Sequence, residues 1–427
     1  MFKDLISTSS LKKNFQKSLL VSSIALLAAC GSDDESNAIY SGPVNEELIT
    51  LSADTSQITI DAGNPAAFYA DEEYGTDERN LFDIYLPEST EPTGLIIYIH
   101  GGGFYAGSKE LAYQTPDDIN AILAAGVAFA TINYSLLTVP GINAAADAAN
   151  DSEGITKPLS DIREALQYIR YNAKTFNIDP RNVSTYGVSA GAVSSLWLAY
   201  SDDMAIKDST DPIAQQSTRI VAAGAIETQG SLDLVRWEEI LTILGVTLEQ
   251  AADLGGLSLM ESFYGIAASP NSDDPIAASL DVIRAETGDL ADLRATLDLP
   301  ALIDSNDAPV YLSSTWETFS KTSAASDRLA LIPGLATAAG TAAVIAQNEG
   351  DLATAQAKAA EAQDLQAEGA ALAQQLIGAF LHFPTHPLMI KVFANEAGAE
   401  VVANIPALGQ PDQTQQAVVP FLLGYMQ

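Results

Sequence analysis

Cysteine is nearly absent from this chain. Its 427 residues contain one, Cys30, so no disulfide can form within a single copy. Histidine is almost as scarce: His100, His382 and His386 are the only three, and any chemistry that needs an imidazole must draw on them. Positive charge is also in short supply. Twenty basic residues face 55 acidic ones, for a formal charge of −35, which argues against nucleic acid or an anionic lipid surface as a partner. Apolar runs long enough to cross a bilayer are missing. Leu19–Ala29 is too short, and the Ala-rich stretch 335–380 is interrupted by Gln347, Asn348, Glu349, Asp351 and Lys358. No internal repeat is found.

The chain starts with Lys3, Lys12, Lys13 and Lys17, followed by the short apolar run. This is the layout of a targeting segment, to be set aside from the fold. The run ends Leu27-Ala28-Ala29-Cys30-Gly31, which resembles a bacterial lipoprotein lipobox. The resemblance implies a signal peptide over 1–29, cleavage before Cys30, lipidation of that cysteine and a membrane anchor. Gly31 in place of an aspartate then implies the outer membrane, with the protein facing the periplasm or the cell surface. Residues 30–44, with Asp33, Asp34 and Glu35, read as a polar tether, and 45–427 as one domain.

Two glycine-bearing stretches dominate that domain. Gly187-Val188-Ser189-Ala190-Gly191 fits G-x-S-x-G. It follows a β-prone run (Val183, Thr185, Tyr186) and precedes a helix-prone one, the strand–turn–helix setting of a nucleophile elbow. Ser189 would stand at the start of a helix, with the Ala190 N–H placed to face a developing oxyanion. Upstream, the apolar run Gly94–Ile99 reads as a buried parallel strand and leads into His100-Gly101-Gly102-Gly103-Phe104. Three glycines leave bare amides able to meet a ligand. A phosphate loop would need the Lys-Ser/Thr that is missing here.

With both motifs in this order, about ninety residues apart, the chain resembles the α/β-hydrolase fold, and within it the HGGG-type carboxylesterases and lipases, best over about Asn80–Ala225. The resemblance implies a mostly parallel sheet flanked by helices and a serine hydrolase that cleaves carboxylic esters through an acyl-serine. Gly102, Gly103 and Ala190 would form the oxyanion hole. The substrate would be a small-molecule or lipid-like ester, and no cofactor is implied. A serine nucleophile needs an imidazole base and a carboxylate to orient it. His100 belongs to the glycine motif in a structural role, leaving His386 as the expected base and His382 as the second choice. Both precede the last strand, whereas the family places its histidine after it. The corresponding loop here, Ala407–Gln413, has none. Glu317, just after the strand ending near Ser314, is the expected acid, with Glu227 as the alternative. A metal between His382 and His386 is not expected, because Pro384 breaks the helix that an i, i+4 pair needs. If the triad is degraded, the alternative function is a non-catalytic, lipid-tethered binding protein on a hydrolase scaffold.

Further strands are expected at 49–60 (edge), 80–87, 126–134, 219–226, 308–314 and 400–405. Asp161–Phe176 has helical periodicity with Ser160 or Asp161 as its N-cap. Insertions at 231–307, read as a helical cap, and at 335–380, read as one long helix or a hairpin broken near Glu349-Gly350, complete the expected layout. A closing helix is expected over 415–425.

Overall fold

The computed structural model describes residues 42–427 except 146–147, 149–151, 244–246, 268–271, 316–318, 350, 411–416 and 427. Cys30, the stretch 1–29 expected to be a signal peptide, and Glu317 lie outside the described residues.

One eight-stranded sheet organises the chain: β1 (Ala66–Glu73), β2 (Leu81–Pro87), β3 (Thr93–Ile99), β4 (Ala128–Ile132), β5 (Ile178–Val188), β6 (Ala223–Ile226), β7 (Val310–Ser313) and β8 (Val401–Asn404). Their spatial order is β1-β2-β4-β3-β5-β6-β7-β8. β1 and β2 run antiparallel to their neighbours, and every pair from β4 through β3, β5, β6 and β7 to β8 is parallel. The central strand β3 is buried along its whole length. Leu95, Ile97 and Ile99 enter the core on one face, and Ile96 and Tyr98 enter the core on the other. An unbroken apolar run is what a parallel strand covered on both faces requires.

Helices α1 (Pro116–Ala124), α2 (Thr156–Tyr171) and α3 (Ala190–Tyr200) belong to the βα units. The insertion after β6 holds α4 (Trp237–Ile243), α5 (Leu257–Tyr264), α6 (Pro275–Ile283) and α7 (Asp289–Leu297). After β7 come α8 (Phe319–Asn348), α9 (Leu352–Leu381) and α10 (Thr385–Ala397), and α11 (Val418–Gly424) closes the fold. Ile119 and Ile122 of α1 and Phe421 and Leu422 of α11 cover one face of the sheet; α2, α3 and α10 pack into the core on the other.

Three expectations are corrected. The stretch 49–60 is not an edge strand; that place belongs to β1, which the sequence reading passed over. Ile58 and Ile60 do pack against the core, which explains their alternation. The backbone there is tied by single bonds, such as Asp54 N–H to Phe68 O (2.8 Å), instead of a ladder. Asp161 caps nothing: α2 begins at Thr156, and the buried Asp161 carboxylate accepts the Ser135 N–H (2.7 Å). The helical stretch expected from 335 begins sixteen residues earlier, at Phe319. Its break near Glu349 is where expected, and α8 and α9 form a hairpin across which Arg328 pairs bidentately with Glu368 (2.7 Å).

Candidate active site

β5 turns into α3 at Ser189, whose φ of 55° and ψ of −118° are strained for a residue with a side chain. The Ser189 N–H is held by Ile226 O (2.9 Å). The flanking glycines do not have positive φ; they supply space. A Cβ on Gly191 would lie 2.5 Å from the Ile99 carbonyl carbon and 2.8 Å from His100 O. The turn can therefore press against the end of β3, and Ser189 emerges at the N-terminus of a fully buried helix.

The glycine loop leaves β3 beside it. Gly102 (φ 120°) and Gly103 (φ 62°) adopt conformations that suit glycine, and Gly102 O accepts the amides of Tyr105 (3.1 Å) and Ala106 (3.0 Å). His100 anchors the loop. Its ring stacks on Tyr134 at 4.1 Å, its Nδ1–H donates to Gly101 O (2.8 Å), and Tyr134 Oη donates to His100 O (2.9 Å). Burial pushes this imidazole down to about 4, so it is neutral and structural. Arg79 fixes the far side, donating to Tyr134 O (2.8 Å) and Gly107 O (2.9 Å).

The imidazole beside the nucleophile is that of His382. Its Nε2 lies 3.4 Å from Ser189 Oγ, and its Nδ1 lies 2.9 Å from Glu227 O. A carbonyl can only accept, so Nδ1 carries the proton and the Nε2 lone pair faces the serine hydroxyl. That is the tautomer of a general base, at the spacing of a site without substrate.

His386 does not occupy the place expected of it. It is buried in the first turn of α10, where its Nδ1 accepts the Gly230 N–H (3.0 Å) and its ring meets Trp237 edge-on at 5.0 Å. The cause is local. α9 ends at Leu381 and α10 starts at Thr385, so His382 sits in the short break between helices, free of a helical backbone. Pro384 stands at the N-cap of α10 and so opens that helix.

Glu227, the alternative acid, lies at the end of β6 with φ 52°. Its carboxylate is engaged by Ser314 Oγ (2.9 Å), Thr315 N–H (2.7 Å) and Thr315 Oγ1 (2.9 Å), and it meets His382 through its main-chain oxygen. A main-chain role leaves no mark in a sequence, which is why this contact was not foreseen.

Gly103, Ser189 and Ala190 open on a pocket of about 100 Å³. Beyond the serine, Gln229 and Ser231 are the polar members of a mainly apolar wall: Leu232, Leu234, Trp237, Leu241, Leu259, Met260 and Phe263, all from the insertion after β6, with Leu381 from the end of α9. Asp233 secures that wall from behind. It pairs with Arg294 (2.9 Å) and accepts Tyr264 Oη (2.9 Å), which in turn accepts the Leu234 N–H (2.8 Å).

Sheet order, elbow and glycine loop together give the chain the architecture of the α/β-hydrolase fold. Comparisons with known proteins find similarity over part of the chain. Residues 82–262 match the BD-FAE family model. The Fumonisin B1 esterase of Sphingopyxis macrogoltabida is 31% identical over 123 residues, 28% of this chain and 22% of that protein. Cholinesterase 1 of Branchiostoma lanceolatum is 32% identical over 108 residues, 25% of this chain and 29% of the relative. This chain thus spans under a third of the length of these curated relatives. A truncated carbohydrate esterase from gut microbiota superposes with a TM-score of 0.48 at 13% identity, over 90% of this chain and 99% of that one.

Proposed function

We propose that this protein hydrolyses carboxylic esters through an acyl-serine intermediate, with Ser189 as nucleophile and His382 as base. The observation that carries the reading is the line Ser189 Oγ, His382 Nε2, His382 Nδ1–H, Glu227 O. Ser189 Oγ attacks the ester carbonyl carbon as Nε2 takes its proton. The oxyanion is met by the amides of Ala190 and Gly103, with Gly102 shaping the loop; each such donor is worth ~10²–10³ in turnover. The protonated Nε2 then returns its proton to the departing alkoxide. Water, activated by the same nitrogen, attacks the acyl carbon and releases Ser189. The uncharged, mainly apolar pocket favours a substrate whose acyl or alcohol group is hydrocarbon-like.

A fluorophosphonate probe and a series of short p-nitrophenyl esters test this. Labelling of the wild type but not of Ser189→Ala, together with ester turnover, is expected. Folded protein that ignores the probe and hydrolyses no ester would refute the reading in favour of a tethered binding protein.

From the lipobox-like run before Cys30 we further propose an outer-membrane lipoprotein anchored through that cysteine, with the hydrolase domain in the periplasm or at the surface. Cys30→Ser is expected to block lipidation and release the protein from the membrane fraction. Normal processing and membrane association of that variant would count against the anchor.

A further inference from the structure

The short segment Ile226–Gly230, where the chain leaves β6, touches both the residue read as nucleophile and the segment that carries the imidazole beside it. Ile226 O accepts the amide of the nucleophile, Ser189 (2.9 Å). Glu227 O accepts Nδ1–H of His382 (2.9 Å). Gln229 Nε2 donates to Leu381 O (2.9 Å), and the Gly230 N–H donates to His386 Nδ1 (3.0 Å). Serine and imidazole come from points 193 residues apart in sequence, and this segment registers one against the other.

The registration depends on one unusual residue. Glu227 holds a left-handed φ of 52°, which disfavours any side chain and directs its carbonyl at His382. What keeps it there is on the opposite side of the residue. Its N–H donates to Ser313 O (2.8 Å), and its carboxylate takes three hydrogen bonds from Ser314 and Thr315 at the end of β7. Charge-assisted bonds of this kind are among the stronger ones a side chain can make. Strain that persists beside a reactive centre, with a dedicated set of bonds opposing its release, points to a function for the strained peptide.

We propose that Glu227 is a positioning residue: its carboxylate, clipped to Thr315, locks the left-handed peptide whose carbonyl oxygen holds His382 in the Nδ1–H tautomer facing Ser189. The proposal rests on the Ser189–His382 reading of the site and assigns the carboxylate no part in proton transfer.

The test uses the full mature chain with two readouts, ester turnover and the ¹⁵N spectrum of the imidazoles. With three histidines, the His382 signals are assigned by their loss in His382→Gln. Wild type should show the Nδ1–H tautomer. Glu227→Gln keeps an acceptor for the Thr315 N–H; it should keep that tautomer and lose no more than about tenfold in kcat, because the carboxylate itself does no chemistry. Glu227→Val lacks the clip and resists positive φ; it should mix the tautomers and lower kcat about 10²-fold, with KM little changed. Thr315→Val, which removes one partner of the clip, should fall between wild type and Glu227→Val in both readouts and serves in place of Glu227→Val if that variant does not fold. A loss of about 10⁴ in Glu227→Gln, the cost of amidating a triad carboxylate, would overturn the proposal and make Glu227 the acid. The same loss in Glu317→Gln, with Glu227→Val and Thr315→Val behaving as wild type, would overturn it in favour of Glu317. An Nε2–H tautomer in the wild type would overturn it outright. A wild type that shows the Nδ1–H tautomer but turns over no ester would sustain the positioning role and refute only the hydrolase reading.

Discussion

Gly191→Ala is the most economical probe of the elbow, because it adds one methyl group at a place where the backbone leaves no room. The new Cβ would lie 2.5 Å from the Ile99 carbonyl carbon and 2.8 Å from His100 O, and closer still to Ile99 O. Ordinary contact begins at 3.4 Å, so α3 must move from the end of β3 by roughly 1 Å, and the opposing atoms are main chain that cannot rotate away. That movement separates the Ala190 amide from the glycine loop, dividing the oxyanion hole along its seam. Loss of one donor costs ~10²–10³ in kcat. Overpacking should also destabilise by about 1–3 kcal/mol, a drop of several degrees in Tm at most for a domain this large. Gly340→Ala is the control: it lies within α8 with nothing within 4 Å of the added carbon, and should leave kcat alone and stabilise slightly, by up to about 1 kcal/mol. The assay is kcat for a p-nitrophenyl ester with thermal unfolding on the same samples. Turnover of Gly191→Ala within about threefold of wild type would refute the close-packed elbow and the role given to Ala190.

Other perturbations follow from the same geometry. His382→Ala should lower kcat at least ~10³-fold, whereas His386→Ala, which unseats a buried hydrogen bond, should act mainly through stability, by about 1–3 kcal/mol; the reverse ranking would restore His386 as the base. His100 gives an acid-side stability slope. In the unfolded chain it takes up a proton near pH 6.5, but in the folded protein only near pH 4. Stability is therefore full above pH 6.5 and falls by up to about 3 kcal/mol as the pH drops to 4. His100→Asn should flatten that slope in urea titrations between pH 4 and 7, and an unchanged slope would exclude His100 as its source. Leu259→Trp, on the pocket wall, should lower kcat/KM for a hexanoyl ester relative to the acetyl ester by about tenfold or more, read from a chain-length series.

The sequence was informative where side chains encode geometry directly. An apolar run into three glycines, and a serine between two glycines after β-prone residues, specify β3, its loop, β5 and α3, because few other structures tolerate those residues in that order. Most strands of the sheet announced themselves as short apolar runs. β1 did not. Its Ala66–Glu73 carries three acidic residues, and its pairing comes from β2, not from its own composition. Asp161 misled for a related reason. A carboxylate near a helix start has two uses, and whether it caps that helix or accepts a distant amide is decided by tertiary packing. The choice between His382 and His386 turned on where two helices break, and boundaries are the part of a helix that sequence patterns mark least sharply. The main-chain contact of His382 with Glu227 was beyond reach altogether, since every residue has a carbonyl and only the φ of Glu227 singles this one out.

The α8–α9 hairpin has a consequence for how the protein could be used. It joins β7 to the segment bearing His382, and its first helix ends at Asn348 and its second starts at Leu352, some 45 Å along a thirty-residue helix from their bases. A cut between the two helices would place Ser189, the glycine loop and most of the pocket wall on one polypeptide, and Leu381, His382, α10, β8 and α11 on another. Neither piece could turn over an ester alone. Fused to two interacting proteins, the halves would form a split reporter whose signal is restored only when β8 rejoins β7, so that the long hairpin serves as the handle by which the site is taken apart and reassembled.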